Sequence, residues 1–153
     1  MRRFIEIPIA LAFWLIVFVV TMMGCAPTGT SDPMEHQGEA LAIVWGTAFG
    51  QTDAPPTVNW VMGDHLDCTE PNGNRGFMAL TVEGRKCKGG ITFTGAEVFI
   101  AWPDGSNYSN TAFAHELAHA EQLRRNVSDP WHLEPGTWEL VDAANELLIN
   151  NGL

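Results

Sequence analysis

Two histidines four residues apart, with a glutamate directly after the first, stand in TAFAHELAHAEQ at residues 111–122. On a helix, His115 and His119 lie one above the other on a single face, so both imidazoles can reach one tetrahedral Zn2+ at about 2.0–2.1 Å. Glu116 is one residue further round, poorly placed as a third ligand but able to reach a water on the metal. Zinc brings the pKa of such a water from about 15.7 toward roughly 7, and a neighbouring carboxylate can take its proton and pass it to a leaving amine. Ala112, Ala114 and Ala118 flank the histidines, and their small size is expected to leave room for metal and substrate. The bland alternative is a helix that happens to carry two histidines, since short motifs of this kind also arise by chance.

The HELAH segment resembles the signature of the zincin metallopeptidases. That resemblance covers residues 91–140 and implies a site helix carrying two zinc ligands and the general base, an adjacent sheet whose edge strand binds extended peptide, and a third ligand downstream. AEVFIAW, just ahead of the helix, is the edge strand expected on this reading. Gln122 and Arg125 stand where the metzincins carry glycine and histidine, so that clan is excluded in its usual form.

Two residues compete to be the third ligand. His132, in SDPWH, is a zinc ligand by type, and Asp129 can orient a ligating imidazole from behind. Glu139, in TWELVDA, lies where the gluzincins place a glutamate on a later helix, with Asp142 as the supporting acid. GTWE shares Gly-Thr with the aspzincins but lacks the rest of their motif. His132 is the ligand expected here, Glu139 the main alternative, and Glu134 and Asp129 lesser ones. Any of these leaves a fourth position open for water, as hydrolysis requires. Tyr108 and His65 are available as transition-state donors opposite the base, although a packed loop tyrosine and an incidental loop histidine are the simpler readings.

The elements that must position these residues follow from the sequence pattern. TVNWVM, GFMALTV, GITFT and AEVFIAW are short, rich in β-branched and aromatic residues, and separated by turn-forming clusters, which predicts a small, largely antiparallel sheet. After PDGSNYSN the period changes to helical: Ser109 or Asn110 can cap a helix with Phe113, Leu117 and Ala120 on its apolar face, ending near Asn126. A last helix follows in TWELVDAANELLINNGL, with Thr137 as cap, Trp138, Val141, Ala144, Leu147 and Leu148 as core positions, and Gly152 past its end. The periodicity of residues 39–52 decides nothing. The fold class expected is α+β, a small antiparallel sheet packed against the HExxH helix and a C-terminal helix.

The first residues read MRRFIEIPIALAFWLIVFVVTMMGC, a basic start followed by an uncharged run that ends at Gly24 before Cys25. This plan is that of an export signal, and its end resembles a bacterial lipoprotein signal, which implies cleavage before Cys25 and lipidation of that cysteine. The alternative is a retained transmembrane anchor. The expected organisation is a signal at 1–24, a Pro-, Gly- and Ser-rich tether at 25–38, and the peptidase domain at 39–153. The chain is then exported and lipid-anchored to the cell envelope, at the outer membrane if the host is Gram-negative, because Ala26 is not the aspartate that retains such proteins in the inner membrane. Cys68 and Cys87 remain as a pair that an oxidising compartment would bridge; the competing reading, two thiolate zinc ligands, has only His65 nearby.

A formal net charge of −10 argues against nucleic acid as a partner, since phosphate recognition needs clustered Lys and Arg. Two functions therefore stand open: a membrane-tethered zinc peptidase acting on peptide or protein, and a non-catalytic envelope module with a structural metal or none.

Overall fold

The computed structural model describes residues 32–67, 80–83, 86–127 and 133–153. The four strand signals become β1 (Thr57–Met62), β3 (Leu80–Glu83), β5 (Gly90–Thr94) and β6 (Glu97–Trp102), and two short strands that the pattern left as loop and turn join them, β2 (His65–Asp67) and β4 (Lys86–Lys88). They form two three-stranded sheets, ordered β1-β6-β5 and β2-β4-β3. With the helices below, this is the α+β class that the pattern predicts.

One pairing departs from the antiparallel expectation. β1 and β6 run parallel, with Thr57 opposite Glu97 and Met62 opposite Trp102, while β5 is antiparallel to β6. β6 therefore lies in the middle of its sheet, and AEVFIAW is not the edge strand. The reason is burial on both faces. Val98, Ile100 and Trp102 join the main core beneath the helices, whereas Ala101 and Phe99 pack on the other side with Leu66 and Ile91. Among the described residues β1 and β5 are the two margins of this sheet, and it is β5 that runs beside the site helix.

Residues 37–48 are helical: α1 (Gln37–Leu41) continues into a π-helical stretch, Ala42–Ala48, where Phe49 N–H reaches back five residues to the Val44 carbonyl at 3.0 Å. The ordered fold thus begins ahead of Glu39. Pro33 is buried and its carbonyl accepts the Tyr108 hydroxyl, and Trp60 Nε1 donates to Gln37 Oε1 at 2.6 Å, so the last residues of the expected tether dock on the domain.

α2 (Phe113–Arg124) is the site helix and α3 (Thr137–Asn150) the last one. A 3-10 turn, Tyr108–Asn110, occupies the place where a cap was expected; α2 starts three residues later from Ala112, without a side-chain cap. It stops at Arg125, and Asn126 takes a left-handed φ of 59°, a conformation that asparagine tolerates better than most residues.

Phe113, Leu117 and Ala120 are buried as the period predicts, and Val141, Ala144 and Leu148 of α3 meet them. At the start of α2 the rings of Trp60, Trp102, Tyr108 and Phe113 interlock, Trp60 edge-on to Trp102 at 5.1 Å and stacked on Phe113 at 5.7 Å. Such pairs add about 0.5–1.5 kcal/mol each beyond area burial. They pin the N-terminal end of the site helix against the sheet.

Arg124 pins the other end. Its Nε donates to the Gly95 carbonyl at 2.6 Å, Nη1 reaches Asp53 Oδ2 at 2.5 Å and the Ala54 carbonyl at 2.7 Å, and the guanidinium lies 4.7 Å from the centre of a Trp45 ring. The side chain is partly solvent-exposed, which weakens each contact. Arg124→Ala is expected to lower the unfolding free energy by about 1–2 kcal/mol in urea titrations. Arg124→Lys should recover only a minor part, because a single ammonium cannot reproduce the planar fork.

Candidate metal centre

The site is built on α2 and faces two elements, β5 and the start of α3. Because side chains alternate along a strand, Gly90 and Thr92 of β5 point at α2, while Ile91 between them packs in the second cluster. Glu116 occupies the space that these small residues leave and is only 2% exposed. A Cβ on Gly90 would stand 2.4 Å from Glu116 Cγ and 2.8 Å from its Cδ, so this seat requires glycine.

Thr92 Oγ1 lies 2.6 Å from Glu116 Oε2 and 3.1 Å from the main-chain carbonyl of the same residue. Its one proton can serve only one of them. The ionised carboxylate takes it at Oε2; the neutral acid can instead donate to Thr92 and release the hydroxyl proton to the carbonyl. Burial pushes the Glu116 carboxyl up to about 8, opposed by the hydrogen bond from Thr92. Without a cation nearby, Glu116 is therefore largely a neutral acid at neutral pH.

The two histidines meet edge to face with ring centres 4.8 Å apart. His115 is half-buried and also lies against Trp138, at 5.4 Å between ring centres. His119 is 4% exposed, and its Nδ1 is 3.1 Å from Gln122 Oε1. The amide nitrogen of Gln122 reaches Glu134 Oε2 at 2.9 Å and Thr137 Oγ1 at 3.1 Å. Glu134 is held in turn by both terminal nitrogens of Arg125, each at 3.0 Å, and Arg125 Nε bonds Glu121 Oε1 at 2.6 Å. A cleft of about 180 Å³ borders this network, lined in part by Ala118, Arg125, Glu134 and Thr137.

Several expectations need correction. Ala114 does not hold space open: it is buried in the main core, where its size lets α2 approach its neighbours, and Ala118 is buried there too, with one side on the cleft. Trp138 is not a core residue but is 47% exposed beside His115. Thr137 is not a cap; Gly136, with a φ of 88°, precedes the helix and Thr137 supplies a hydroxyl to Gln122. Tyr108 is sealed in the aromatic cluster, its phenol pushed up to about 12 by burial, so it is no transition-state donor. His65 is exposed on β2 opposite Lys88. Gln122, Thr92 and Gly90 are site residues that the sequence reading did not single out. The available signal was the lack of bulky apolar side chains at Gly90, Thr92 and Thr94, the alternate positions of GITFT.

Two of the three expected ligands are thus brought together. Two imidazole nitrogens sharing a tetrahedral zinc put their ring centres roughly 5 Å apart, which the pair on α2 matches, so these residues fit the ion as part of a donor set. Among the described residues no group of three His, Cys, Asp or Glu side chains is arranged to hold a metal. Glu139, which is described and exposed, is not grouped with the histidines in this arrangement. α3 turns Trp138 toward His115, and the next residue on a helix points about 100° away. Glu134 is committed to Arg125 and Gln122. His132 and Asp129 lie outside the described residues, as do Cys25, the signal at 1–24 and Cys68; for Cys87 only the backbone, paired with Leu66, is described.

Comparison with protein-family models, with curated proteins and with solved structures finds no match for this chain.

Proposed function

We propose that this protein is a zinc-dependent peptidase of zincin type, exported and held at the cell envelope through lipid on Cys25. His115, His119 and His132 are its zinc ligands and Glu116 its general base. The observation that carries the reading is that one helix places two imidazoles with ring centres 4.8 Å apart beside a buried acid whose proton affinity burial raises to about 8.

Zinc, when bound, would supply the Lewis acidity that activates water and polarises the scissile carbonyl. The remaining work falls to the chain. Gly90 and Thr92 hold Glu116 against β5, so that its carboxyl takes up and returns a proton from a fixed position. His115 and His119 are oriented by Trp138 and Gln122 respectively. β5, the margin of its sheet that lies beside Glu116, is the strand on which an extended peptide would lie, in place of β6.

The burial of Glu116 favours a second reading as well: an acid sealed against Thr92 can serve the fold alone, in a non-catalytic envelope module. Metal content of the purified full chain, measured by mass spectrometry beside His132→Ala and Glu139→Ala, separates the two. One zinc per chain, lost in His132→Ala and kept in Glu139→Ala, is the expected result. Wild-type protein that takes up no zinc when it is supplied would sink the peptidase reading and leave the second.

A further inference from the structure

The polar stripe on α2 does not end at the histidines. Gln122 is only 2% exposed, and every contact of its amide is directional. A carboxylate can only accept hydrogen bonds, and Glu134 sits in a two-pronged contact with the Arg125 guanidinium, the geometry of a carboxylate acceptor. The Gln122 group turned toward Glu134 must then be its NH2, because an amide oxygen there would oppose a carboxylate at 2.9 Å. Its oxygen consequently faces His119, and Nδ1 of His119 must be the donor across the 3.1 Å contact. A neutral imidazole protonated at Nδ1 keeps its lone pair on Nε2.

We propose that Gln122 is a positioning residue of the metal centre: it locks His119 in the tautomer that presents Nε2 to the ion, and ties that imidazole to the segment following His132. The proposal rests on the zinc reading above. Glu134 stands two residues after His132 in the chain, and Thr137 opens α3, so one amide gathers the helix that carries two ligands and the segment that leads away from the third. A purely space-filling role at this buried position would be met as well by an apolar side chain of similar volume.

The test uses the full chain labelled with 15N. Long-range proton–nitrogen spectra of the metal-free wild type should show His119 protonated at Nδ1, and Gln122→Met should move it toward the Nε2-protonated form. Zinc affinity, read by competition with a chelator, should fall about 10–100-fold in Gln122→Met, the usual effect of removing an outer-shell partner. Glu134→Ala, at a half-buried position on the cleft, should lower it in the same direction and decides the matter if Gln122→Met does not fold. Wild-type His119 protonated at Nε2, or zinc affinity within about threefold of wild type in both variants, overturns the proposal while the zinc reading stands. A wild type that binds no zinc overturns the zinc reading and the positioning role together.

Discussion

Glu116→Gln is expected to abolish peptide hydrolysis, keep zinc content at the wild-type level, and make the metal-free protein more stable above neutral pH. The loss of turnover follows from the role of the carboxyl: general acid–base catalysis contributes about 10²–10⁴-fold, and an amide can neither take nor return the proton. Zinc content is expected to hold because the proposed ligands are imidazoles and not Glu116. The gain in stability follows from linkage. The folded-state pKa is raised to about 8 from the ordinary 4.5, mainly by burial, so the native protein holds a proton that the unfolded chain has released across that interval. Stability is therefore full below about pH 4.5, falls as pH rises, and levels off above about 8, a loss on the order of a few kcal/mol. Glutamine keeps the shape and can accept from Thr92 but has no proton to lose. Urea unfolding of the metal-free proteins between pH 4 and 9 should give a falling curve for wild type and a flatter one for the variant. Parallel curves would show that Glu116 is not buried as described, and undiminished hydrolysis would falsify its role as base.

Gly90→Ala is expected to cost about 2–3 kcal/mol, toward the upper end of what overpacking usually exacts, and to remove activity with it. The added Cβ would stand within 2.4–2.8 Å of Cγ, Cδ and Oε1 of a side chain that is itself buried. Neither β5 nor α2 can give way readily, since β5 is laddered to β6 and α2 is pinned at both ends by the aromatic cluster and by Arg124. The expulsion of Glu116 is the cheapest relaxation. The penalty should therefore shrink by about 1–2 kcal/mol when Gly90→Ala is made in a Glu116→Ala background, an interaction typical of residues in direct contact. Additivity of the two changes in urea titrations would mean that β5 and α2 do not meet at this pair.

The HELAH helix, its end near Asn126, the last helix with Val141, Ala144 and Leu148 inward, and four strand segments were all legible in the linear pattern, because helical and strand periods are local properties. So was the adjacency of the pair at 115 and 119, since a four-residue step on a helix determines by itself that two side chains are neighbours. The α+β class followed from the order of those elements. None of these needed knowledge of what packs on what.

What only the tertiary structure decided is which neighbour each polar residue meets. Ala114 is equally small beside an open site or inside a core, and the difference lies in the elements closing over it. AEVFIAW reads the same as an edge or a central strand until β1 pairs with it in parallel, a contact between segments some forty residues apart. Glu116 looked like an acid on an open face; its burial and its raised proton affinity come from β5, whose Gly90 and Thr92 reach it only through the fold. Gln122 was noted as a departure from a metzincin pattern, yet its role arises from Glu134 and Thr137, which α3 and the turn before it bring alongside. Local spacing specifies which groups one helix can offer; burial, proton affinity and hydrogen-bond direction belong to pairs of elements, and those exist only once the chain has folded.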